Sequence, residues 1–173
     1  MKKRAAFFAT FILLIAGAAE CRAQTAIGTW ADFQSFFQGT DTVAGMTGDI
    51  TSTNNFAIIW GSYDKTLDGG GFTLSGNGTT SNAFVPPSNV TVQDANVTIG
   101  NVTITGFTRS AISNNYQGTT GVPVQYTSFM TIGPGVVFDG NYNSNDGGGA
   151  IWNEFEVQVA SGTVFKNNKS IFG

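Results

Sequence analysis

The side chains able to do chemistry are few in this chain and stand far apart. There is no histidine, and the single cysteine, Cys21, lies near the N-terminus. Without them, most metal centres and thiol or imidazole nucleophile arrangements are out of reach. Asp94 and Arg109 are of the types that a polysaccharide-cleaving enzyme uses, because such chemistry clusters Asp, Lys and Arg on one sheet face to move a proton. They are isolated in sequence, and no Asp-Asp or Arg-centred cluster recurs around them. The expectation is therefore that the chain is not an enzyme and carries no catalytic residue, cofactor-binding residue or cofactor.

The run Asp139 to Asp146 (DGNYNSND) offers side-chain oxygens at alternate positions and could hold Ca²⁺. An EF-hand loop requires Gly at its sixth position and Glu at its twelfth, where this run has Ser144 and Ala150. Asn, Asp and Gly also tolerate left-handed turns, and a bend between strands is the expectation, with no metal ligand assigned. Trp60, Tyr63, Tyr116, Tyr126, Tyr142 and Trp152 would make a carbohydrate-binding strip if several faced outward on one side. Ordinary core and edge packing is the expectation for them. Asn-x-Ser/Thr sequons at Asn77, Asn89, Asn96, Asn101 and Asn168 are read as a consequence of strand and turn chemistry rather than as glycosylation sites.

The elements that would position these groups begin after a leader. Met1 to Arg4 is basic, Ala5 to Ala19 is apolar, and Glu20 to Ala23 is a short polar exit. This three-zone pattern is that of a cleavable signal peptide, residues 1–23, and its apolar stretch falls short of the roughly 20 residues of a membrane-spanning helix. Acylation at Cys21 would make a lipoprotein, but Glu20 stands where a small residue is needed. Cleavage after Ala23 would leave four basic residues (Lys65, Arg109, Lys166, Lys169) against ten acidic ones, a net charge of −6. So acidic a chain is a poor partner for nucleic acid or an anionic membrane, and membrane attachment would need a missing or separate anchor. It would also have no cysteine, so packing and backbone hydrogen bonds must hold it together.

A composition of 41% hydrophobic and 11% charged residues suits an ordered chain. Trp30, Phe33 and Phe37 fall on one helical face, with Thr29 as N-cap and Asp32 three residues on. Residues 24–45 are read as a cap containing this short helix. After about Asp41 the pattern becomes period-two runs of three to five residues, such as Phe72-Thr73-Leu74-Ser75 and Val97-Thr98-Ile99. Strands this short do not make stable hairpins, and the separators are not regular two-residue turns, so stacked coils over residues 46–173 are expected. Asn96-Val97-Thr98-Ile99 and Asn101-Val102-Thr103-Ile104 repeat almost verbatim, with chemistry suited to apolar and asparagine ladders between coils.

Near the C-terminus stand Gly148-Gly149-Ala150-Ile151 and two Phe-x-x-Asn units, Phe138-Asp139-Gly140-Asn141 and Phe165-Lys166-Asn167-Asn168, whose phenylalanines are 27 residues apart. Over residues 136–173 the chain resembles the repeat of polymorphic outer-membrane proteins and related autotransporter passenger domains. Lys65 to Leu74 is similar to the opening coils of β-helix adhesin-like proteins. The resemblance implies an all-β, right-handed parallel β-helix (pectin-lyase-like solenoid) with a short N-terminal capping helix, in which the glycines allow a tight turn and Phe fills the core. It implies an exported, adhesin-like protein, secreted or at the outer-membrane surface of a Gram-negative bacterium, with host surfaces or glycans as partners. Family members usually carry many more coils and a membrane β-barrel, whereas this sequence stops at Ile171-Phe172-Gly173 where another Gly-Gly-Ala unit would be due. A passenger truncated at its C-terminus is expected, with a short secreted product, a polysaccharide-active lyase or hydrolase, and a non-functional remnant as the alternatives.

Overall fold

The computed structural model describes residues 24–55, 58–59, 63–85, 92–93, 96–114, 125–126, 129–144, 147–154 and 156–171. The leader reading and Asp94 lie outside them. The chain is all-β with a single short helix among the described residues, and every pairing between described strands is parallel. Strand β1 (Thr25–Ile27) leads into helix α1 (Trp30–Gln38). Thr29 and Asp32 form the expected capping box: Thr29 Oγ1 accepts from the Asp32 N–H at 3.1 Å, and Asp32 Oδ2 accepts from the Thr29 N–H at 3.0 Å. The helix buries Trp30, Phe33, Phe36 and Phe37, one ring more than the sequence spacing indicates. Phe37 stacks on Phe84 at 4.7 Å between centroids, which ties the cap to the core of the coils.

The coils follow. The first has β2 (Val43–Met46), β3 (Ile50–Thr51) and β4 (Ile58–Ile59); the second has β5 (Lys65–Asp68), β6 (Thr73–Ser75), β7 (Phe84–Val85) and β8 (Val92–Gln93). The third has β9 (Val97–Gly100), β10 (Thr103–Thr105), β11 (Ile112–Asn114) and β12 (Gln125–Tyr126). The fourth has β13 (Phe129–Ile132), β14 (Val137–Asp139), β15 (Tyr142–Asn143) and β16 (Ile151–Asn153); the fifth has β17 (Glu156–Val159), β18 (Val164–Lys166) and β19 (Lys169–Ser170). The first strands of the coils make a six-stranded sheet, β1-β2-β5-β9-β13-β17, and the second strands a five-stranded one, β3-β6-β10-β14-β18. The third face is β4-β7-β11-β16. This parallel order, with a full coil of chain between partners, is that of a parallel β-helix.

Inward side chains form files. Ile50, Leu74, Ile104, Phe138 and Phe165 stand opposite one another in the second sheet, so successive coils take 24, 30, 34 and 27 residues. In the first sheet the file is Ala44, Leu67, Ile99, Ile132 and Val159. Alternation places Leu74, Ile104 and Phe138 inside, each essentially inaccessible, with stabilisation of about 1.5–3 kcal/mol for each large apolar side chain buried. On the third face Phe84, Ile112 and Ile151 align, each preceded by a buried alanine, Ala83, Ala111 or Ala150.

One expectation needs correction. The two Asn-Val-Thr-Ile units are not stacked on each other: one is in β9 and the other leads into β10, adjacent sheets of the same coil, because five residues are far too few to complete a turn of the helix. Asn96 and Asn101 are exposed, and Asn101 is a corner residue with φ 49°. The glycines of the Gly-Gly-Ala-Ile unit serve both tight turning and close approach: a Cβ on Gly148 would overlap the Ile151 carbonyl three residues on. The positive φ there belongs to Gly147, whereas a Cβ on Gly149 would overlap the backbone of Lys169 in the next coil.

Candidate binding surface

Each Phe-x-x-Asn unit is a stacking device. Phe138 and Phe165 lie ring on ring, 5.1 Å between centroids and 8° from parallel. Asn141, fully buried, donates from Nδ2 to the Ile104 carbonyl at 2.9 Å and accepts at Oδ1 from the Phe107 N–H at 3.2 Å. Asn168 repeats this one coil later: its Nδ2 donates to the Phe138 carbonyl at 2.9 Å, and its Oδ1 accepts from the Asn141 N–H at 3.1 Å. Each carboxamide thus bridges a C=O and the N–H three residues on in the coil below, satisfying a corner where the strand ladder stops. The two carboxamides are also joined, Asn141 Nδ2 to Asn168 Oδ1 at 3.0 Å. The residue between, Gly106, Gly140 or Asn167, has φ of 69°, 66° or 55°, which permits the turn. The asparagine ladder expected at Asn96 and Asn101 is therefore here.

A second polar file continues along the interior. Thr80 Oγ1 lies 2.5 Å from Ser52 Oγ and 2.6 Å from the Asn54 carbonyl; Asn82 donates to the Ser110 carbonyl; Ser110 donates to the Gly148 carbonyl at 2.6 Å. Asn143 Nδ2 reaches Ser110 Oγ at 3.1 Å. Asn141 and Asn143 are two of the oxygen-bearing residues of the 139–146 run, and both turn inward to satisfy these groups. The geometry supports the bend rather than a calcium loop for the described part of that run; Asn145 and Asp146 lie outside the described residues. Asp139, at the surface, accepts from Asn167 Nδ2 at 2.9 Å and pairs with Lys166 at 3.3 Å. The Asn167 hydrogen bond chiefly holds its carboxyl below the ordinary carboxylate range; burial opposes it, and Lys166 adds lesser hydrogen-bonding and charge contributions.

Lys65 is the side chain that sequence reading passed over. It occupies the inward file of Val97 and Met130 and is 1% exposed. Its Nζ donates to the carbonyls of Gly39 at 2.7 Å and Asp41 at 2.6 Å and lies 4.9 Å from the centroid of Phe36. A cation here satisfies the C-terminal end of α1, whose last carbonyls have no intrahelical partner. Burial pushes the ammonium pKa down, with the Asp41 charge opposing. The only sequence signal would have been a lysine in a file of hydrophobes, visible only once the register is known.

The outward faces carry hydroxyls. Thr66, Thr98 and Thr131 stand in register on the first sheet; Thr51, Ser75 and Thr105, and beside them Thr73 and Thr103, do so on the second. Their spacing is about 4.8 Å from coil to coil and roughly 7 Å along a strand, and β-branching restricts χ1 of the threonines. On the second sheet the rank ends at Asp139 and Lys166. A depression of about 220 Å³ lies at one edge of the first sheet, bordered by Gln24, Gly45, Thr47 and Asp68. Arg109 is exposed at a corner, its N–H donating to the Ser81 carbonyl at 2.8 Å. Among the candidate aromatics, Tyr63 and Tyr142 are 49% and 42% exposed. Tyr63 precedes the first sheet, Tyr142 pairs with Lys169 in β19, and Trp152 is on the third face, so these three do not form one strip. Trp60 and Tyr116 lie outside the described residues, as does the side chain of Tyr126. Among the described residues no three acidic, histidine or cysteine side chains converge as a metal would require, and no helix is long and apolar enough to cross a membrane. The chain matches no family model, no curated protein and no solved structure.

Proposed function

We propose that this chain is an exported bacterial surface protein, akin to the passenger part of a polymorphic outer-membrane protein or autotransporter adhesin, that works by distributed contact with host or environmental surfaces, glycans among them. The observation that carries the reading is the outward hydroxyl ranks, with Thr66, Thr98 and Thr131 presenting one chemistry on three successive coils. Many weak, equally spaced hydrogen-bonding groups gain affinity by number rather than by any one contact. The basic-apolar-polar leader supports export, and the acidic balance suits a surface role better than nucleic-acid binding. Attachment to a membrane would come from a separate anchor, and the protein would be secreted or displayed at the outer surface of a Gram-negative cell.

The test is a glycan and extracellular-matrix binding screen on the full chain, with Thr66→Glu, Thr98→Glu and Thr131→Glu made singly and together. Progressive loss of binding with each substitution is the expected outcome. Binding untouched by the triple variant removes the hydroxyl ranks from the account, and release of shortened oligosaccharides makes the chain a polysaccharide-active enzyme instead. Export is checked by fusing residues 1–23 to a reporter that is active only outside the cytoplasm.

A further inference from the structure

The outward face of the second sheet carries a regular grid of hydroxyls. Thr51, Ser75 and Thr105 stand opposite one another on three successive coils, and Thr73 and Thr103 do so two residues earlier on the same strands. The sixth position of this two-by-three grid is Asp49, whose Oδ1 accepts from the Thr73 N–H at 2.7 Å. None of the four threonines makes a side-chain hydrogen bond to another described residue. Ser75 Oγ accepts from the Asn77 N–H at 3.2 Å and keeps its own O–H to donate. The inward hydroxyls differ, since Thr80 and Ser110 both bond to partners inside the stack. The grid is thus a set of hydroxyls held in register by the coils and left without a partner in the chain.

We propose that this grid binds ice, its hydroxyls taking the places of oxygens in the outer layer of the crystal. The grid repeats at about 4.8 Å between coils and roughly 7 Å along a strand. The prism face of ordinary ice repeats its oxygens on a rectangular net with nearly the same two spacings. β-Branching restricts χ1 of the threonines, so little rotamer freedom is lost on contact. Charge complementarity points the same way. Between Asp49 at one corner and the Asp139–Lys166 pair beyond the third coil, the face carries no charge in an otherwise acidic chain, which suits a neutral lattice of water. Neither rank holds an aromatic ring on which a sugar could stack. Each contact is weak, and the fixed register lets the five hydroxyls engage together. The inference concerns the second sheet and does not rest on the adhesive reading, whose Thr66, Thr98 and Thr131 are on the first.

The experiment grows ice slowly from a dilute solution of the full chain and measures how much protein enters the crystal. Three variants are run beside it. Thr73→Lys puts a long charged side chain in the middle coil of the grid, Thr73→Val with Thr103→Val keeps the shape and removes two hydroxyls, and Thr66→Lys alters the first sheet. Far-ultraviolet dichroism checks that the coils are intact, and the valine pair carries the test if the lysine is not tolerated at Thr73. The expected result is that the unsubstituted chain and Thr66→Lys are enriched in the ice, Thr73→Lys is left in the liquid, and the valine pair enters about threefold less. Exclusion of the unsubstituted chain from ice overturns the proposal, as does equal entry of all the variants or a loss with Thr66→Lys as large as that with Thr73→Lys. Adsorption to crystalline cellulose that Thr73→Lys abolishes, without entry into ice, overturns it in favour of a polysaccharide.

Discussion

The first and the last described coils of the stack are covered to very different extents. At the N-terminal end the apolar file is covered by a nine-residue helix whose rings Trp30, Phe33, Phe36 and Phe37 are all but inaccessible, and Lys65 fastens that helix to the second coil. In the fifth coil, the last described, the members of the same files are Val159 and Phe165, about half exposed. The difference teaches what seals an inward file: where α1 packs across it the rings are inaccessible, whereas Phe165, covered on the side of Phe138 alone, keeps half its surface exposed.

The sharpest test of this contrast exchanges the same residue at both ends. Phe37→Ala removes a ring stacked on Phe84 inside the core and should destabilise the chain by about 3–5 kcal/mol. Phe165→Ala removes a ring with one covered face and should cost about 1 kcal/mol. Urea unfolding followed by far-ultraviolet dichroism measures both, and equal costs would mean that the two ends are not energetically distinct.

The asparagine ladder sharpens the comparison. Asn141→Ala leaves the Ile104 carbonyl and Phe107 N–H unbridged in the interior, with an expected cost of about 3 kcal/mol. Asn168→Ala does the same to the Phe138 carbonyl and Asn141 N–H nearer solvent, where water replaces part of what is lost, for about 1 kcal/mol. At the helical end, Lys65→Ala leaves a cavity and the Gly39 and Asp41 carbonyls without their donor, at about 2 kcal/mol. Lys65→Met should cost less, since Met130 fills the same file and the buried charge is removed with its bonds.

Much of this architecture was legible in the residues. The period-two runs from Ile50 to Ile104 mark strands, the Thr29–Asp32 spacing marks a cap, and the 27-residue step from Phe138 to Phe165 equals one coil. What escaped has physical causes. Coil lengths from 24 to 34 residues blur any fixed period, so the recurring alanine before Phe84, Ile112 and Ile151 does not announce itself. A buried asparagine and a turn asparagine read alike in sequence, so sequence alone marks Asn101 as a ladder member and Asn141 as part of a bend. The hydroxyl ranks were invisible for the same reason: threonine is favoured in any strand, and only register shows that Thr66, Thr98 and Thr131 share a line.

Acid separates the two ends by mechanism rather than by size. Asp32 has a carboxyl held below its ordinary value of 3.8, chiefly by the Thr29 side chain and then by the Gly28 N–H. Asp139 is held down chiefly by Asn167, with Lys166 adding hydrogen-bonding and charge contributions. A carboxylate whose folded pKa lies below the unfolded one stabilises the fold fully above the unfolded value, and that contribution is lost as pH falls through the folded pKa. Both ends should therefore weaken from about pH 4 downward, as two-dimensional NMR titration of each carboxyl would follow. Added salt discriminates between them. It screens the Lys166 charge, the last-ranked contribution to Asp139 after the Asn167 hydrogen bond, and so moves the Asp139 midpoint slightly up, while leaving Asp32, held by neutral hydrogen bonds within α1's capping box, nearly where it was. A salt shift at Asp32 as large as or larger than a clear shift at Asp139 would show that the capping box is held by long-range charge, and the contrast between the two carboxyls would fail.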